Sequence, residues 1–444
     1  INEPMFRANA DGENEPWLVT DVETTDNQRV WTFKVRKGVK FSDGQPLTSA
    51  DFLFTFETAR KSAIWAPLLA SISKLEAPSP STFRIICAKP APELPAVLGQ
   101  WSFGIVPKNY GGVSEKEFAE HPVGTGPFVL GAWKRGESVT LEKNPGYWDA
   151  GKPYLDKVVL KTVSSPESRV AQLKGGQLDL VAGPPWSQVS AIESAPELSI
   201  GETPLVYDQF LILNSRNPLF QDQRVREAVE LAIDRPGIVD AVLGGHGEPA
   251  GAWVPPAVPY SDSSIEPASQ DIGKAKELLA EAVQDGVDPK FTILTLAESP
   301  YWSTASQIVQ QNLEEVGFKV NIQAAELASA IESMSAGKFD LGVLEIYDAT
   351  TSPAELFGYY NAYEGVYSGV DTAATTKLAE AAQNEVDPQK REELWHRLQA
   401  IIDEDQYLLP LTYGPGAWAY RDAVSGFGVS STGIPWLAET SIAH

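Results

Sequence analysis

Residues 31–60 read WTFKVRKGVKFSDGQPLTSADFLFTFETAR, and this stretch decides the fold. Trp31, Phe33 and Val35 alternate with Thr32, Lys34 and Arg36, the period-2 pattern of a half-buried strand. Gly38 closes it, Val39–Phe41 reads as a short second strand, and Asp43-Gly44 marks a turn. Thr48 is placed as a helix N-cap, with Asp51 as its capping-box partner three residues later. Phe52, Phe56 and Ala59 then recur at helical spacing, so one face of that helix enters a core. Strand, turn and helix in this order are the grammar of an α/β domain. Nothing in the stretch requires a chemical role, so it reads as scaffold.

Working outward, the chain has 444 residues, more than one core normally organises, which predicts two or three domains. Apolar residues make up 43%, enough for sizeable cores, and 35 Gly with 33 Pro are ordinary for a globular chain of this length. Lys and Arg total 35 against 59 Asp and Glu, a net charge of −24, which argues against nucleic acid or an anionic lipid surface as partner. Cys87, in FRIICA, is the only cysteine, so no intramolecular disulfide can form and a buried thiol is expected. No apolar run approaches the length of a membrane span.

Further along, QLDLVAG reads as a strand running to Pro184-Pro185-Trp186, and VYDQFLILN (206–214) as an alternating strand. Asp222 caps a helix expected over 222–243, with Val225, Val229, Ala232 and Ile233 as its apolar stripe and Pro236 near its end. Between 270 and 411 helices and strands alternate: FTILTLA, FKVNIQAA and FDLGVLEIY are strands separated by amphipathic helices. That rhythm predicts a mixed or parallel sheet with covering helices. PQKREELWHRLQAIIDED is a long helix with Leu394, Leu398, Ile401 and Ile402 inward, and YLLPLTYG (407–414) is the last strand before a Pro-Gly-rich tail.

Four of these strings resemble one family, the extracellular solute-binding proteins of peptide-type ABC importers, family 5. They are residues 31–60; INEPMFRANADG, similar to an early N-E-P-L strand and turn; GTGPF followed by N-P-x-Y-W-x-x-G-K-P-Y-L-D; and D-x-R-V-R-x-A-V-x-x-A-I-D-R from Asp222. The resemblance spans nearly the whole chain. It implies an α/β, two-lobed periplasmic-binding-protein-like fold with an extra subdomain in the first lobe. Lobe I is expected at 1–206, with the extra subdomain about 31–160, and again at 414–444; lobe II is expected at 207–413. It further implies a monomer that captures a solute and passes it to transmembrane permease subunits served by a separate ATPase. The expected solute is an oligopeptide, with an oligosaccharide, opine-like or aromatic small molecule as the alternative. A sensor module or a secreted hydrolase is a more distant reading. The resemblance begins inside the first lobe, so a leading segment with an export signal is expected before Ile1. The location implied is periplasmic, or anchored as a lipoprotein at the outer face of the cell membrane.

The residues themselves hold no enzymatic constellation. The histidines are His121, His246, His396 and His444, none at i, i+4 spacing and none near Cys87, so no metal motif is formed. There is no G-x-S-x-G elbow and no phosphate-binding G-x-x-x-x-G-K-[ST] loop. Neither enzymatic activity nor a metal or cofactor is therefore expected. Aromatic residues are plentiful, with 12 Trp, 14 Tyr and 17 Phe, and a cleft between lobes binds ligands by flat apolar contact plus a few fixed polar groups. A core role competes for every ring, and position relative to strand ends is the discriminator. It selects Trp186 after the Pro-Pro strand end, Tyr207 and Tyr413 on the two expected crossing strands, and Trp253 before a Val-Pro-Pro turn. It also selects Tyr301 and Trp302 in the loop after strand 291–297, and Tyr347 with Asp348 at the end of strand 339–347.

In peptide-binding members of the family an Asp after this strand pairs with the peptide ammonium, within W-x-x-D-x-x-D-P. Here the string is EIYDATTSP: Asp348 and Pro353 match, with one extra residue between them and Ser352 in place of the second acid. Dipeptide-selective members hold the ligand carboxylate with an Arg in the loop after strand 291–297. Here that loop is AESPYWSTA, whose only charge is Glu298. A longer peptide, or a ligand stacked on rings, is therefore expected over a short peptide clamped at both ends.

Overall fold

A computed structural model describes residues 1–9, 13–62, 65–297, 299–347, 354, 356–357, 367–370, 372–430 and 433–443. The opening stretch folds largely as its pattern dictates. Strand Val30–Val35 sits between Val19–Thr25 and Thr82–Cys87 in an antiparallel sheet completed by Ile72–Ser79. Val39–Phe41 is not a strand: the turn at Asp43-Gly44 is closed by a single bridge, Lys40 to Pro46, and by Asp43 accepting the Gln45 amide at 3.0 Å. Too few residues separate the arms for a ladder to form. Helix Ser49–Ala59 starts as predicted, with the Thr48 amide donating to Asp51 at 2.7 Å. Phe52 and Phe56 are fully buried against Phe83, at ring distances of 5.7 and 5.9 Å. Burying each ring contributes roughly 1.5–3 kcal/mol. Cys87 closes the same core, where burial pushes its thiol up to about 11.

Two of the family-like strings, INEPMFRANADG and GTGPF with its N-P-x-Y-W continuation, meet at one buried carboxylate. Glu3 accepts hydrogen bonds from Trp17 at 2.8 Å, Thr125 at 2.8 Å, Tyr147 at 2.8 Å and Trp148 at 2.9 Å. Gly124 and Gly126 flank Thr125, and a Cβ on either would stand 2.3 or 2.4 Å from the Ile1 carbonyl oxygen, so only glycine lets the two segments lie this close. The residues of these strings that surround Glu3 are therefore tied together by packing and hydrogen bonding.

The second body is a mixed sheet of seven described strands. Its path runs Leu180–Ala182, Leu408–Arg421, Leu198–Leu213, Leu341–Tyr347, Lys290–Leu296 and Lys319–Ala325, with Glu248–Pro249 alongside Leu408–Arg421. The last three strands of the path are parallel to one another and the rest pair antiparallel. Strands Leu198–Leu213 and Leu408–Arg421 are long enough to serve two bodies of the molecule. The stripe Val225, Val229, Ala232 and Ile233 is fully buried. The single helix expected over 222–243 is instead two, Gln223–Ala232 and Arg235–Leu243. Asp234 breaks it by capping a new start, accepting the Gly237 amide at 3.0 Å, while Pro236 occupies the first turn where its missing N–H costs nothing. Helix Ala373–Asn384 had no counterpart in the sequence reading. On helix Pro388–Asp405, Leu398 and Ile402 are buried as expected, but Trp395 is the largest inward side chain.

Candidate functional site

The long strands carry a cavity of about 470 Å³ on one face. Its floor follows from strand register. Gln209 lies opposite Glu345 on one side and Thr412 on the other, so the three side chains share a face and form a row across three strands. Tyr207, two residues from Gln209, extends the same face. Helices Arg235–Leu243 and Pro300–Val316 line the cavity, the latter through Tyr301 and Thr304. Helix Pro166–Lys174 contributes Glu167 and Arg169, and Trp186 also lines it. Trp186 is held flat against His246, ring centroids 4.9 Å apart, and His246 Nδ1 is 2.8 Å from Glu202.

The site is electrostatically unfinished. Glu345 is withdrawn from water, which pushes its carboxyl up to about 7; a hydrogen bond from the Trp302 side chain opposes that rise. Burial pushes the Tyr207 phenol up to about 12, with Glu345 adding to the effect. Burial also raises Tyr301, which feels Glu345 in the same direction and Arg169 in the opposite one. Gln209 is 3% exposed, and neither atom of its amide has a hydrogen-bond partner. Arg169 Nε likewise has none. Buried polar groups are usually paired, so the unpaired Gln209 amide and Arg169 Nε beside this cavity make it the candidate site.

Of the residues selected from sequence, Trp186, Tyr207 and Tyr301 are brought together here. Trp302 lies behind the wall, 9% exposed, in a core shared with Trp253, Leu294 and Leu296, and reaches the site through Glu345. Trp253 is 5% exposed in that core. Tyr413 pairs with Asp208, not Tyr207, and so points to the opposite face, where its hydroxyl accepts the Ala252 amide at 2.9 Å. Tyr347 lies opposite Tyr207 in register. Asp348 lies outside the described residues. Gln209, Glu345, Thr412 and Arg169 were missed. The available signal was a polar residue on an otherwise apolar strand face, Gln209 in QFLIL and Glu345 in LGVLEIY.

A second cavity, of about 520 Å³, lies between the first residues of the chain and residues 426–439. Here Arg7 stacks over Trp17 at 4.0 Å and Trp436 at 4.9 Å, its Nε without a hydrogen-bond partner, and Glu3 is filled by its four donors. Among the described residues no group of three or more His, Cys, Asp or Glu side chains is placed to hold a metal ion.

Residues 13–368 match the family described as bacterial extracellular solute-binding proteins, family 5 Middle. The chain is similar to the glutathione-binding protein GsiB of Escherichia coli (strain K12), with 28% identity over 434 residues, covering 93% of this chain and 83% of that protein. Its structure is similar to the periplasmic binding protein DppA from Helicobacter pylori in complex with the peptide STSA, with a TM-score of 0.85 and 26% identity, covering 100% of this chain and 92% of the other. It is also similar in fold to NikA from Brucella suis in complex with Fe(III)-EDTA, with a TM-score of 0.91 and 23% identity, covering 100% and 94%. With its two-lobed α/β fold, the chain belongs to the bacterial extracellular solute-binding proteins of family 5, the substrate-binding proteins of ABC importers.

Proposed function

We propose that this protein captures a peptide or peptide-like solute, in the first place an oligopeptide, and delivers it to the transmembrane subunits of an importer driven by a separate ATPase. The lobes divide at about residues 206 and 413, the extra subdomain covers about 31–160, and hinge bending between them closes the site. The protein acts as a monomer outside the cytoplasmic membrane, in the periplasm or on a lipid anchor, and catalyses no reaction. Its ligand contacts are Trp186, Tyr207, Tyr301 and Tyr347, with Asp348 next along the chain. Trp253, Trp302 and Tyr413 brace them from the cores behind.

The observation that carries this reading is the row Thr412, Gln209 and Glu345 on one face of three strands, lined by aromatic side chains, with the Gln209 amide at its centre left without a partner. Such a floor orients a solute, and the rings supply contact area. The printed ligands of two relatives, glutathione for GsiB and the peptide STSA for DppA, support the peptide class. The ring walls favour a second reading, an oligosaccharide, opine-like or aromatic small molecule stacked on Trp186, Tyr207 and Tyr301.

Native mass spectrometry of the purified protein, before and after mild denaturation, tests both. Released peptides establish the first reading, and a single sugar, opine or aromatic compound establishes the second. A protein that arrives empty, and whose melting no peptide, glycan or opine shifts, is not a solute carrier of either kind. Binding in the micromolar to nanomolar range corresponds to roughly −8 to −12 kcal/mol.

A further inference from the structure

We propose that His246, which lies outside the cavity on the long strands, is a positioning residue: it fixes the Trp186 indole as a flat wall that selects solutes carrying an aromatic ring. This rests on the solute-binding reading and adds a specificity determinant to it. Trp186 lines the cavity, and neither His246 nor Glu202 does. The imidazole of His246 lies 4.9 Å from the indole, centroid to centroid, with the two planes 23° apart. One face of the indole is therefore taken by the imidazole, and the cavity meets only the rest of the ring. His246 is held in turn by Glu202, whose carboxylate lies 2.8 Å from Nδ1; the two side chains are 26% and 35% exposed.

The chain is shaped to hold this stack. Helix Arg235–Leu243 ends at Gly244, and Gly244 with Gly245 turns through left-handed backbone, φ 61° and 83°, which glycine adopts without strain. The turn brings the His246 amide to the Leu243 carbonyl at 3.0 Å. It also sets Gly244 against Trp186: a Cβ on Gly244 would stand 3.5 Å from the Trp186 Cβ and carbonyl oxygen. Trp186 follows Pro184-Pro185 and opens a short turn, Trp186–Gln188. Among the described residues no hydrogen bond fixes its indole, so packing and the imidazole set its tilt. An indole that loses its stacking partner is free to turn about its χ angles, and a turned ring no longer offers the same flat surface. A partly exposed His–Glu contact contributes little by itself. Joined to the stack, the Glu202 carboxylate keeps the imidazole in the plane that the indole needs, so the pair acts on the solute only through Trp186.

The test uses the full-length protein with fluorotryptophan in place of tryptophan, read by fluorine NMR, the Trp186 line being assigned from Trp186→Phe. The second readout is native mass spectrometry with two matched tripeptide libraries. One carries phenylalanine and the other cyclohexylalanine, a side chain of similar bulk that is not flat. Wild type is expected to give one narrow Trp186 line and to retain the phenylalanine library about tenfold better. His246→Ala should broaden or split that line and cut the preference to roughly threefold or less. His246→Phe keeps a ring on the indole, and Glu202→Gln keeps an acceptor for Nδ1; both should restore much of the line and of the preference. That recovery separates positioning from general loss of structure, which neither variant would repair. An unchanged line in His246→Ala overturns the inference, and so does a changed line with the preference intact. Equal retention of both libraries by wild type overturns it while leaving a peptide carrier standing. Retention of neither library by wild type defeats the peptide reading; an unchanged line in His246→Ala then overturns the inference too, and a broadened one upholds it.

Discussion

Glu93 accepts the indole N–H of Trp395 at 3.2 Å, joining segments 302 positions apart. Arg391 stands 3.8 Å from the same carboxylate oxygen, and the charged side chains of this pair are only 10% and 12% exposed. Lys89 and Glu380 form an exposed pair nearby in sequence, at 3.2 Å. These contacts clasp the amino-terminal part of the chain to helices Ala373–Asn384 and Pro388–Asp405.

If lobe closure depends on this clasp, Glu93→Ala weakens it by about 1–3 kcal/mol, the cost of leaving buried donors unpaired. Small-angle scattering of the ligand-free variant should show a larger radius of gyration, and bound ligand should dissociate several-fold faster. Lys89→Ala should do little, as expected of an exposed pair. An unchanged radius and dissociation rate in Glu93→Ala would mean the contact is passive.

Burial of the Glu345 carboxyl opposes its ionisation. Its folded value, about 7, lies above its ordinary value of 4.5, so the folded state holds the proton more tightly. The sign follows: this group's contribution to stability is lost as pH rises from about 4.5 to 7 and stays lost above, at most about 3 kcal/mol. Glu345→Gln removes that loss and keeps an acceptor for Trp302. Denaturant unfolding at pH 5 and pH 8 should show the variant more stable than wild type at pH 8, with little difference at pH 5. A variant no more stable at pH 8 contradicts a cost of ionising the buried Glu345 carboxyl.

Ligand binding should show the same group with the opposite consequence. An ammonium beside Glu345 favours the ionised carboxylate, so affinity for a solute that places one there should weaken as pH falls from 8 to 6. Binding near pH 7 should release a fraction of a proton. Calorimetry in buffers of different ionisation heat measures it. The other charged and titratable groups lining this cavity are Tyr207, Tyr301, Arg169 and Glu167, and the raised phenols of Tyr207 and Tyr301 do not titrate in this window. Proton release that persists in Glu345→Gln assigns the effect elsewhere.

Glu3 is a stability residue. Burial raises its carboxyl, against the pull of its four donors. Glu3→Ala leaves Trp17, Thr125, Tyr147 and Trp148 without their acceptor and should cost more than about 3 kcal/mol. Melting followed by tryptophan fluorescence should drop sharply, while ligand preference of the folded fraction stays that of wild type. A change in preference without loss of stability would give Glu3 a role in binding.

The sequence by itself determined the parts governed by local spacing. The alternation in 31–36, the capping box of Thr48 and Asp51, and the stripe from Val225 to Ile233 each depend on neighbours a few residues away, and each takes the predicted form. Locality also explains the lapses: an apolar stripe continuing past residue 232 cannot reveal that Asp234 caps a second helix, because stripe and cap are both satisfied by either chain path. The site was decided by tertiary structure. Tyr207 and Tyr413 are equal candidates in the sequence, yet strand register sets Tyr207 opposite Gly414 and Tyr413 opposite Asp208, which turns the two rings to opposite faces of one sheet. The same register places Gln209 beside Glu345, 136 positions apart by 345 − 209, and no spacing rule within either strand contains that pairing. Arg169 enters from a third segment altogether, so the meeting of its charge with that of Glu345 in one cavity exists only once the strands have crossed and the helices have packed upon them.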